Sequence, residues 1–415
     1  MSKTVPEGWA IQSLDGKIHI LSGFPFKSSL FTDDSDFMGI IRIRDLEKQS
    51  IETFYAGDFE ETYVVRRGDI LIGMDGDFNI VKWNAKNALL NQRVCKVRAE
   101  ADSSFDTGFL FQSLKEDLLS INAATGATTV KHLSVKDIRG IEKAYPPLPE
   151  QQKIATILSS VDDVIEKTRA QIDKLKDLKT GMMQELLTKG IGHTEFKNSP
   201  MGRIPAAWEI ARLGDIVLPK GIQTGPFGSQ LHSHEYIEWG VPVIMPRDMK
   251  GNKIDPASVA HIPLEKAVEL DKHRVEVGDL VFARRGDIGR FALVDKSNEG
   301  WVCGTGCLKV RLQPSVSPAF IASYLTLTPV IEWLNTNAVG QTMLNLNTSI
   351  LSELPIILPP EHEQAVIGEA ILSLDNKVAS RSDKLSGLLR VKKALMQDLL
   401  TGKVRVEQKV SDKVG

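Results

Sequence analysis

The chain has 415 residues, of which 42% are hydrophobic and 25% charged, and its formal net charge is −2. This length predicts two or three domains, and the composition is typical of folded globular protein rather than of extended disorder. The near-neutral charge excludes a uniformly basic nucleic-acid binder, so any basic groups that contact an acidic ligand must be concentrated on one face.

The cysteines and the apolar segments restrict the compartment and the kinds of site. Cys95, Cys303 and Cys307 are too few for a disulfide framework or a complete zinc cage, and we expect reduced thiols in a cytoplasmic protein. His232 and His234 of the HSH segment lack a convincing third ligand, so no metal site is expected. The N-terminus has no apolar signal core, and no stretch has the roughly 18 apolar residues of a membrane helix, so no membrane association is expected.

Residues 1–148 form the first predicted domain. Short apolar runs such as DILIGM and RVCKV are separated by Gly, Pro, Asp and Asn, which is typical of short strands and turns. A longer amphipathic stretch follows around residues 105–120. This pattern predicts an α+β domain with a strongly curved β-sheet.

Residues 149–200 form a predicted helical repeat and linker. Between Pro149 and Leu187 there is no further proline, and apolar residues recur in steps of three and four. This heptad seam of roughly five repeats predicts a helix about 55 Å long. The predicted seam residues are Ile154, Val161, Ile165, Ile172, Leu175, Met182 and Leu186.

The second half repeats this order, with an α+β domain at residues 201–358, a helical repeat at 359–404 and a C-terminal tail at 405–415. PPLPEQQKI, SVDD and MMQELLT return as PPEHEQAVI, SLDN and LMQDLLT, and all three pairs are separated by the same distance along the chain. This constant, ungapped offset indicates an internal duplication. The matching seam residues are Ile367, Leu374, Val378, Leu385, Leu388, Leu395 and Leu399.

Two seams of equal length predict that the two helices pair in a coiled coil. The alternative is that a long helix buries its seam in a globular core. Because duplicated units in symmetric assemblies are usually related by a two-fold axis, we expect a pseudo-two-fold repeat with antiparallel helices. Thr168 and Lys179 interrupt one seam, and Arg381 and Lys392 the other, which is typical of a device that fixes register and partner.

The central part of each predicted domain differs between the halves. Residues 24–46, FPFKSSLFTDDSDFMGIIRIRDL, correspond to residues 225–249, GPFGSQLHSHEYIEWGVPVIMPRDM. Neighbouring blocks such as VRRGDILIGMDGD and VEVGDLVFARRGD remain similar. A shared scaffold with private central segments indicates two related modules that recognise different things.

The order of blocks, the PPLPEQQKI and PPEHEQAVI helix starts and the QELLTKG and QDLLTGK endings resemble the specificity subunit of Type I restriction-modification enzymes. The resemblance covers essentially the whole chain. It implies two target recognition domains, each reading one half of a split, asymmetric sequence in double-stranded DNA. It also implies helices that set the spacer and dock two methyltransferase subunits, which bind S-adenosylmethionine. Two restriction subunits, which use ATP and Mg, would join that core and cleave DNA.

The resemblance makes polar residues of the loops candidates for DNA contacts. Arg fits guanine and Gln or Asn fits adenine, and the glycines of TGPFGS and ARRGDIG allow backbone N–H groups to approach phosphates. Phe26 and Phe227 are candidates for stacking on DNA, although a core position is the commoner role for phenylalanine. The candidate DNA-binding residues are Lys27, Ser28, Arg42, Arg44, Asp77, Asn79, Lys220, Gln223, Thr224, Gly225, Gly228, Ser229, Gln230, Arg247, Arg284, Arg285 and Arg290.

The sequence contains no catalytic motif that we recognise. YPPLPE and LPPEHE, at the helix starts, lack the polar residue before Pro-Pro in the (D/N)PP(Y/F) segment of adenine methyltransferases, and there is no GxxxxGK(S/T) phosphate loop. We therefore expect a recognition chain without catalysis or a cofactor of its own. Two other hypotheses stay open: a self-contained methyltransferase or nuclease with an unrecognised site, and a coiled-coil scaffold that joins two protein-binding domains.

Overall fold

The structure, a computed structural model, describes residues 5–125, 131–199, 202–340 and 345–406. Residues 407–415 of the predicted C-terminal tail therefore lie outside the described residues. The chain forms two compact units: unit 1 contains residues 1–169 and 383–415, and unit 2 contains residues 170–382.

Unit 1 combines short strands with helices, as the alternation of apolar runs and turn residues predicts. Its strands are β1 (Ala10–Ser13), β2 (Ile18–Ser22), β3 (Phe31–Thr32), β4 (Met38–Ile41), β5 (Phe54–Tyr55), β6 (Val64–Val65), β7 (Ile70–Gly73), β8 (Ile80–Lys82), β9 (Ala88–Leu90), β10 (Val94–Ala99) and β11 (Glu142–Tyr145). Its helices are α1 (Ile43–Lys48), α2 (Thr107–Ala124), α3 (Val135–Arg139) and the long α4 (Leu148–Lys189), whose second half belongs to unit 2.

The core of unit 1 lies between α2 and a four-stranded antiparallel sheet with the order β2-β10-β7-β8. The side chain of Asp106 begins α2 by accepting a hydrogen bond from the Phe109 N–H at 2.8 Å. Leu110, Leu114 and Leu118 recur every four residues, so they share one buried face. Burying each such side chain stabilises the unit by about 1.5–3 kcal/mol, and Leu114→Ala would cost about 2–5 kcal/mol.

Unit 2 has the same kinds of element. Its strands are β12 (Phe196–Ser199), β13 (Gly202–Pro205), β14 (Glu209–Arg212), β15 (Val217–Thr224), β16 (Val241–Ile244), β17 (Met249–Lys250), β18 (Lys253–Ile254), β19 (Ala260–Ile262), β20 (Leu280–Ala283), β21 (Phe291–Leu293), β22 (Val302–Cys303), β23 (Cys307–Leu312) and β24 (Pro355–Leu358). Its helices are α5 (Leu264–Glu269), α6 (Pro318–Tyr324), α7 (Thr328–Asn337), α8 (Thr348–Ser352) and the long α9 (Glu361–Leu399), whose second half belongs to unit 1.

The sheets repeat between the units, which confirms the predicted duplication. The sheet β2-β10-β7-β8 of unit 1 has its counterpart in β15-β23-β20-β21 of unit 2, and the antiparallel pair β1-β11 has its counterpart in β14-β24. Each unit also has a parallel pair, β4 with β9 and β16 with β22, inside a second sheet. The mixture of helices and mainly antiparallel sheets confirms the α+β class.

Within unit 1, the start of α4 pairs with the end of α9. Glu150 accepts hydrogen bonds from Arg405, just beyond α9, at 2.8 and 2.9 Å. Further along α4, Asp162 forms an ion pair with Lys392, which lies earlier in the chain than Arg405. Advancing along α4 therefore means going back along α9, so the two segments are antiparallel.

Within unit 2, the end of α4 pairs with the start of α9 in the same sense. The Lys179 Nζ lies 2.5 Å from the Asp375 Oδ1, and the Ile191 N–H, just beyond α4, donates to the Glu363 Oε1 at 2.8 Å. Asp375 and Lys392 stand at the repeat positions of Asp162 and Lys179, so the two ion pairs are repeats of each other. The predicted antiparallel coiled coil is confirmed.

The predicted seam residues all lie on covered parts of the two helices. The buried ones are Ile154, Ile165, Ile172, Ile367, Leu374 and Leu399. The half-buried ones are Val161, Leu175, Met182, Leu186, Val378, Leu385, Leu388 and Leu395. Thr168 is buried and its hydroxyl donates to the Val164 carbonyl, whereas Arg381 is exposed. The alternative of a helix buried in a globular core also applies locally, because Ile154 belongs to the core of unit 1 and Ile367 to that of unit 2.

Candidate nucleic-acid interface

The parallel strand pairs decide where the private loops of each unit meet. In unit 1, Ile41 at the end of β4 lies beside Leu90 at the end of β9. In unit 2, Ile244 at the end of β16 lies beside Cys303 at the end of β22. Because parallel strands run the same way, the segments that follow these residues emerge at one edge of the sheet. At this edge of its sheet, unit 1 has arginine-bearing segments after β4 and β9, and unit 2 has one after β16.

Four segments of unit 1 are joined there by backbone hydrogen bonds. The Gln92 N–H donates to the Phe24 carbonyl at 3.0 Å, and the Met74 N–H donates to the Arg93 carbonyl at 2.8 Å. The Leu133 N–H donates to the Met74 carbonyl at 2.7 Å. We call these four segments the strand-end surface of unit 1: residues 24–28, 74–78, 91–93 and 131–133.

Unit 2 has an equivalent strand-end surface. The Arg284 N–H donates to the Gly306 carbonyl at 2.8 Å, and the Leu346 N–H donates to the Arg284 carbonyl at 2.9 Å. The Thr305 hydroxyl donates to the Pro226 carbonyl at 3.0 Å. The hydrogen bonds to Met74 and to Arg284 are the same in both units, although the side chains differ. This surface contains residues 225–230, 284–289, 304–306 and 345–346.

The candidate residues of unit 1 differ in how free their charges are. Lys27 and Ser28 are exposed at the strand-end surface. Arg42 is half-buried, with its guanidinium 5.3 Å from the Phe31 ring centre. Arg44 is exposed, but its charge lies 3.8 Å from both the Asp45 and Glu52 carboxylates. The Arg44 charge is therefore partly compensated within the chain.

Asp77 and Asn79 lie in and next to the 74–78 segment. Asp77 is exposed, and Asn79 is half-buried with its carbonyl accepting from the Gly73 N–H at 2.9 Å. Asp77 brings negative charge, so it can accept from a base amino group but would repel phosphate. The two phenylalanines considered for stacking on DNA differ in exposure. Phe26 is buried, with its ring 4.8 Å from that of Tyr55, whereas Phe227 of unit 2 is 55% exposed.

The candidates of the first loop of unit 2 fall into two groups. Lys220, Gln223 and Thr224 belong to β15, where Lys220 has a left-handed φ of 61° and its carbonyl accepts from the Gln223 side chain at 2.8 Å. The second group lies in the loop that follows this strand. Its members are Gly225, Gly228, Ser229 and Gln230.

Gly225 serves the protein's own packing. A Cβ at Gly225 would lie 2.0 Å from the Gly304 carbonyl oxygen, so only glycine allows these two backbones to approach. At Gly228 a Cβ would meet nothing within 4 Å, so that glycine is not required by packing. Phosphate contact at Gly228 therefore stays a prediction, while Gly225 has a structural role.

The four arginines of unit 2 are held to different degrees. Arg247 is exposed and 3.7 Å from the buried Asp248 carboxylate. Arg284 donates through Nε to the Asn345 side chain at 3.1 Å, and Arg290 is bound to Asp287 at 2.9 Å. Arg285 is exposed at the strand-end surface.

Sequence reasoning missed a pair of buried carboxylates that hold the arginine segments. Asp45 accepts from the Arg42 N–H at 2.8 Å, and Asp248 accepts from the Met245 N–H at 2.9 Å. Burial raises the pKa of the Asp45 carboxyl above its usual range, against the opposing effects of the Arg42 N–H and the Arg44 charge. The signal was present as the Arg-Asp dipeptide that occurs in both IRIRDL and IMPRDM.

A charged cluster of unit 1 was also missed. Asp75 lies 2.6 Å from the His132 Nδ1 and 3.1 Å from the Arg93 Nη1. Arg93 has φ of 132°, in the region that favours glycine. Asp75 lies in the repeated block around GMDGD, but nothing in the sequence singled out Arg93 or His132, which are both distant from it along the chain.

The described residues contain no group of three or more His, Cys, Asp and Glu side chains that could hold a metal. The rings of His232 and His234 stack 5.4 Å apart. Cys95, Cys303 and Cys307 are buried free thiols, and burial raises the pKa of Cys95 to about 12. Among helices in the described parts of the chain, none is long and apolar enough to cross a membrane.

Comparison with protein families decides how the duplicated architecture is classified. A family model described as the Type I restriction modification DNA specificity domain matches residues 6–177 and again residues 205–390. The chain belongs to the Type I restriction-modification specificity subunits. Its two units thus carry the two DNA-specificity domains of the subunit.

Relatives of this specificity subunit match over nearly its full length. It is 27% identical to the Type I restriction enzyme EcoBI specificity subunit of Escherichia coli, covering 97% of this chain and 87% of the relative. It is 26% identical to the MjaVIII specificity subunit of Methanocaldococcus jannaschii, covering 97% and 94%. The crystal structure of the S subunit from M. genitalium matches with a TM-score of 0.68 and 16% identity over 98% of each chain, which shows a shared fold.

Proposed function

We propose that each unit reads one half of a split, asymmetric sequence in double-stranded DNA through its strand-end surface. The observation that carries the proposal is that the same backbone hydrogen bonds are formed around Met74 and around Arg284, with different side chains in the two units. We call this repeated arrangement of backbone segments the frame. A common frame places two readers in the same way relative to DNA. Different side chains make the two half-sequences differ, which gives an asymmetric target.

The candidate residues divide by the contact that each suits. Exposed cations of the strand-end surfaces and their neighbours, among them Lys27, Arg44 and Arg247, suit phosphates, because a cation on a solvated surface attracts the backbone regardless of sequence. Gln230 and Ser229 suit base edges. Arg290 is a weaker candidate, since Asp287 already compensates its charge.

We further propose that the helices fix the spacer between the half-sequences and dock two methyltransferase subunits. The paired helices carry the same ion pair twice, Asp162 with Lys392 and Lys179 with Asp375. A helix pair built from repeated sequence presents equivalent faces, which suits two copies of one partner. The ion pairs fix the register of the helices, and a fixed register favours one spacer length.

In this proposal the chain itself has no catalytic role. Methyl transfer belongs to the methyltransferase subunits, which bind S-adenosylmethionine, and two restriction subunits supply ATP- and Mg-dependent cleavage. The absence of a (D/N)PP(Y/F) segment and of a phosphate loop from the sequence supports this division.

The test is to co-express the chain with the methyltransferase encoded beside it and to map methylated adenines in the host genome by single-molecule sequencing. The expected result is a split, asymmetric motif with one spacer length. Methylation no different from that by the methyltransferase alone would contradict the proposal and favour a protein scaffold. Binding of S-adenosylmethionine by the isolated chain would instead favour a self-contained enzyme.

A segment exchange tests the modular part of the proposal. Residues 24–46 are replaced by the corresponding residues of a relative with another target, and methylation is mapped again. We expect one half of the motif to change while the other half and the spacer stay the same. Exchange of residues 225–249 is the matched experiment and should change the other half. A change in both halves after either exchange would contradict independent reading.

A further inference from the structure

The backbone of Arg93 has a conformation that its side chain does not explain. Its φ of 132° lies in the region where residues other than glycine are strained. The matching position of unit 2, defined by the hydrogen bond from Arg284, is Gly306, with φ of 89°. The frame therefore accepts glycine at this position, and unit 1 has arginine there instead.

Packing gives no reason for the arginine. The Arg93 side chain is 59% exposed, and its carboxylate partner is Asp75, at 3.1 Å. A surface ion pair contributes little to stability and does not offset the strain at Arg93. Residues that the surrounding structure holds in a strained backbone conformation cluster at ligand-binding sites. The contacts of Arg93 within the chain therefore give no reason for arginine at this position.

Asp75 holds the side chains of Arg93 and His132 in place. It lies between Arg93 and His132, and its side chain is only 20% exposed, whereas that of His132 is 58% exposed. A guanidinium has five N–H donors, so the contact with Asp75 leaves several of them for a ligand. A donor whose orientation is fixed before binding loses less entropy when it reads a base.

Unit 2 has a different set of side chains at the same three positions. The pair Asp75 and His132 is matched by Arg285 and Asn345, because both pairs form an antiparallel bridge in the same turn of the frame. There the glycine stands at the 93 position, and the exposed arginine stands at the 75 position. Each unit thus has one exposed arginine at these three positions: Arg93 in unit 1, and Arg285, which matches Asp75, in unit 2.

We infer that Arg93 and Arg285 are specificity-determining residues, each of which reads a guanine in the half-sequence recognised by its own unit, and that Asp75 positions Arg93. This inference rests on the proposed function. Arginine binds the O6 and N7 of guanine with two hydrogen bonds, and it is the commonest specific contact in the major groove. Because the two arginines come from different places on one frame, the two guanines occupy different positions in their half-sequences.

The test uses the full chain with its methyltransferase and compares wild type with Arg93→Gly and Arg285→Ala. Arg93→Gly should relax one position of one half of the methylated motif, with a roughly 10- to 100-fold loss of preference for guanine there. The melting temperature should not fall, because glycine suits this backbone conformation. Arg285→Ala should relax one position in the other half. Arg98→Ala, which removes an exposed arginine of β10 in unit 1, is the control and should leave the motif unchanged.

Asp75→Asn separates positioning from direct contact. It leaves the Arg93 guanidinium but removes the charge that holds it, so preference for guanine should fall less than in Arg93→Gly. Affinity for unrelated duplex DNA should rise, since one negative charge is lost from the surface. If Asp75 has a purely structural role, Asp75→Asn should lower the affinity for the recognised motif and the affinity for unrelated DNA together.

The outcomes distinguish the inference from the function on which it rests. If wild type yields no split motif, the proposed function is wrong and the inference falls with it. If wild type yields a motif that Arg93→Gly and Arg285→Ala leave unchanged, the inference alone is overturned. Equal weakening at every sequence would also overturn it, since that result indicates phosphate contacts. A lower melting temperature of Arg93→Gly would refute the argument from backbone strain.

Discussion

The two units close the ends of their helix pairs with the same carboxylate but with different basic side chains. In unit 1, Glu150 accepts from the Trp9 indole at 3.3 Å and from Arg405 at 2.8 Å. In unit 2, Glu363 stands at the repeat position of Glu150. It accepts from the Trp208 indole at 3.0 Å and lies 3.0 Å from the His193 Nε2.

The difference shows what duplication preserved and what it left free. The carboxylate and the indole, which set the local geometry, are the same in both units. The basic partner has diverged: Arg405 of unit 1 matches Gly192 in the ungapped repeat, and His193 of unit 2 matches Val406. Burial tends to raise the pKa of Glu150, but the hydrogen bonds from Arg405, Val406 and Trp9 outweigh it and hold the pKa below its usual range. The structural frame is thus shared, while the basic residue that meets the carboxylate comes from a different sequence position in each unit.

The largest expected effect comes from removing these carboxylates. Glu150→Gln should destabilise unit 1 by about 2–4 kcal/mol, because the charge-assisted hydrogen bonds from Arg405 are lost. Glu363→Gln should destabilise unit 2 by about 1–2 kcal/mol at neutral pH, because a single imidazole nitrogen replaces the two-point guanidinium contact. Urea unfolding, combined with hydrogen exchange in peptides from each unit, measures both effects.

The control is Glu185→Gln, which removes only an exposed ion pair with Lys189 and should cost less than about 0.5 kcal/mol. Since folding lowers the pKa of Glu150, its contribution is present above the unfolded value of about 4.3 and is lost as pH falls through the folded value. Glu150→Gln should remove this acid dependence from unit 1. Equal losses of stability in Glu150→Gln and Glu363→Gln would contradict the difference between the two units.

The second prediction concerns a histidine that only unit 2 has. Burial, with the charges of Lys272 and Lys309, lowers the pKa of His273 from 6.5 to about 4. The unfolded chain then binds a proton that the folded chain does not, so stability is full above about pH 6.5. It should fall by up to about 3 kcal/mol as pH drops from 6.5 to 4. Unit 1 has Tyr63 at the matching position of the VRRGD and VEVGD blocks.

His273→Tyr gives unit 2 the residue of unit 1 and should remove this part of the pH dependence, whatever it does to stability at neutral pH. Hydrogen exchange of each unit between about pH 4 and 7 is the measurement. If the stability of unit 2 depends on pH as steeply in His273→Tyr as in wild type, groups other than His273 cause the pH dependence.

The third prediction compares the two repeated ion pairs. Asp162 contacts Lys392, accepts from Gln112 at 2.8 Å and lies 3.7 Å from Lys115, whose pKa is lowered to about 8 by burial and by the Lys392 charge. Asp375 contacts Lys179 at a more exposed position. Asp162→Asn leaves two half-buried lysines facing each other and should cost about 2–3 kcal/mol.

Asp375→Asn is the matched variant and should cost less than about 1 kcal/mol. Urea unfolding gives the difference. Adding Lys115→Met to Asp162→Asn should restore part of the loss, because one of the two facing charges is removed. If the two asparagine variants cost the same, Lys115 and Gln112 contribute nothing to the network.

The features that sequence analysis predicted are those written in neighbouring residues. The heptad spacing of the seams and the constant offset between the repeated blocks indicated the helices, their pairing and the duplication. The repeated Glu-Gln of the two helix starts was visible but unexplained. Gln151 and Gln364 turn out to donate to the Pro146 and Pro359 carbonyls, both at 2.8 Å, which anchors each start of a helix.

The features that it missed depend on residues far apart in the chain. Glu150 meets Trp9 141 residues away and Arg405 255 residues away, and no periodicity links them. The positive φ of Arg93 occurs where its carbonyl accepts a hydrogen bond from the distant Met74 N–H, and it has no local signature in the sequence. The candidate DNA-binding set was built from residue type and position in the predicted loops, so it could not separate exposed arginines such as Arg285 from Arg290, which is bound to Asp287.

The smallest expected effect tests the matched arginines that follow the parallel strands. Arg247 of unit 2 faces Asp248, whereas Arg44 of unit 1 lies 3.8 Å from both Asp45 and Glu52. A second carboxylate reduces the charge available to a phosphate.

Arg247→Ala should therefore lower the slope of log affinity against log salt by about 0.9, the value for one phosphate contact, and Arg44→Ala by less. The measurement is fluorescence anisotropy of a duplex bearing the mapped motif, with the methyltransferase present, between about 50 and 200 mM salt. Glu52→Gln frees Arg44 from one carboxylate, so it should steepen the salt dependence of DNA affinity. The contribution of Arg44 should then become more similar to that of Arg247. If Glu52→Gln leaves the slope unchanged while Arg247→Ala lowers it, Arg44 does not face DNA, and the units differ in how they lie against the backbone as well as in the bases they read.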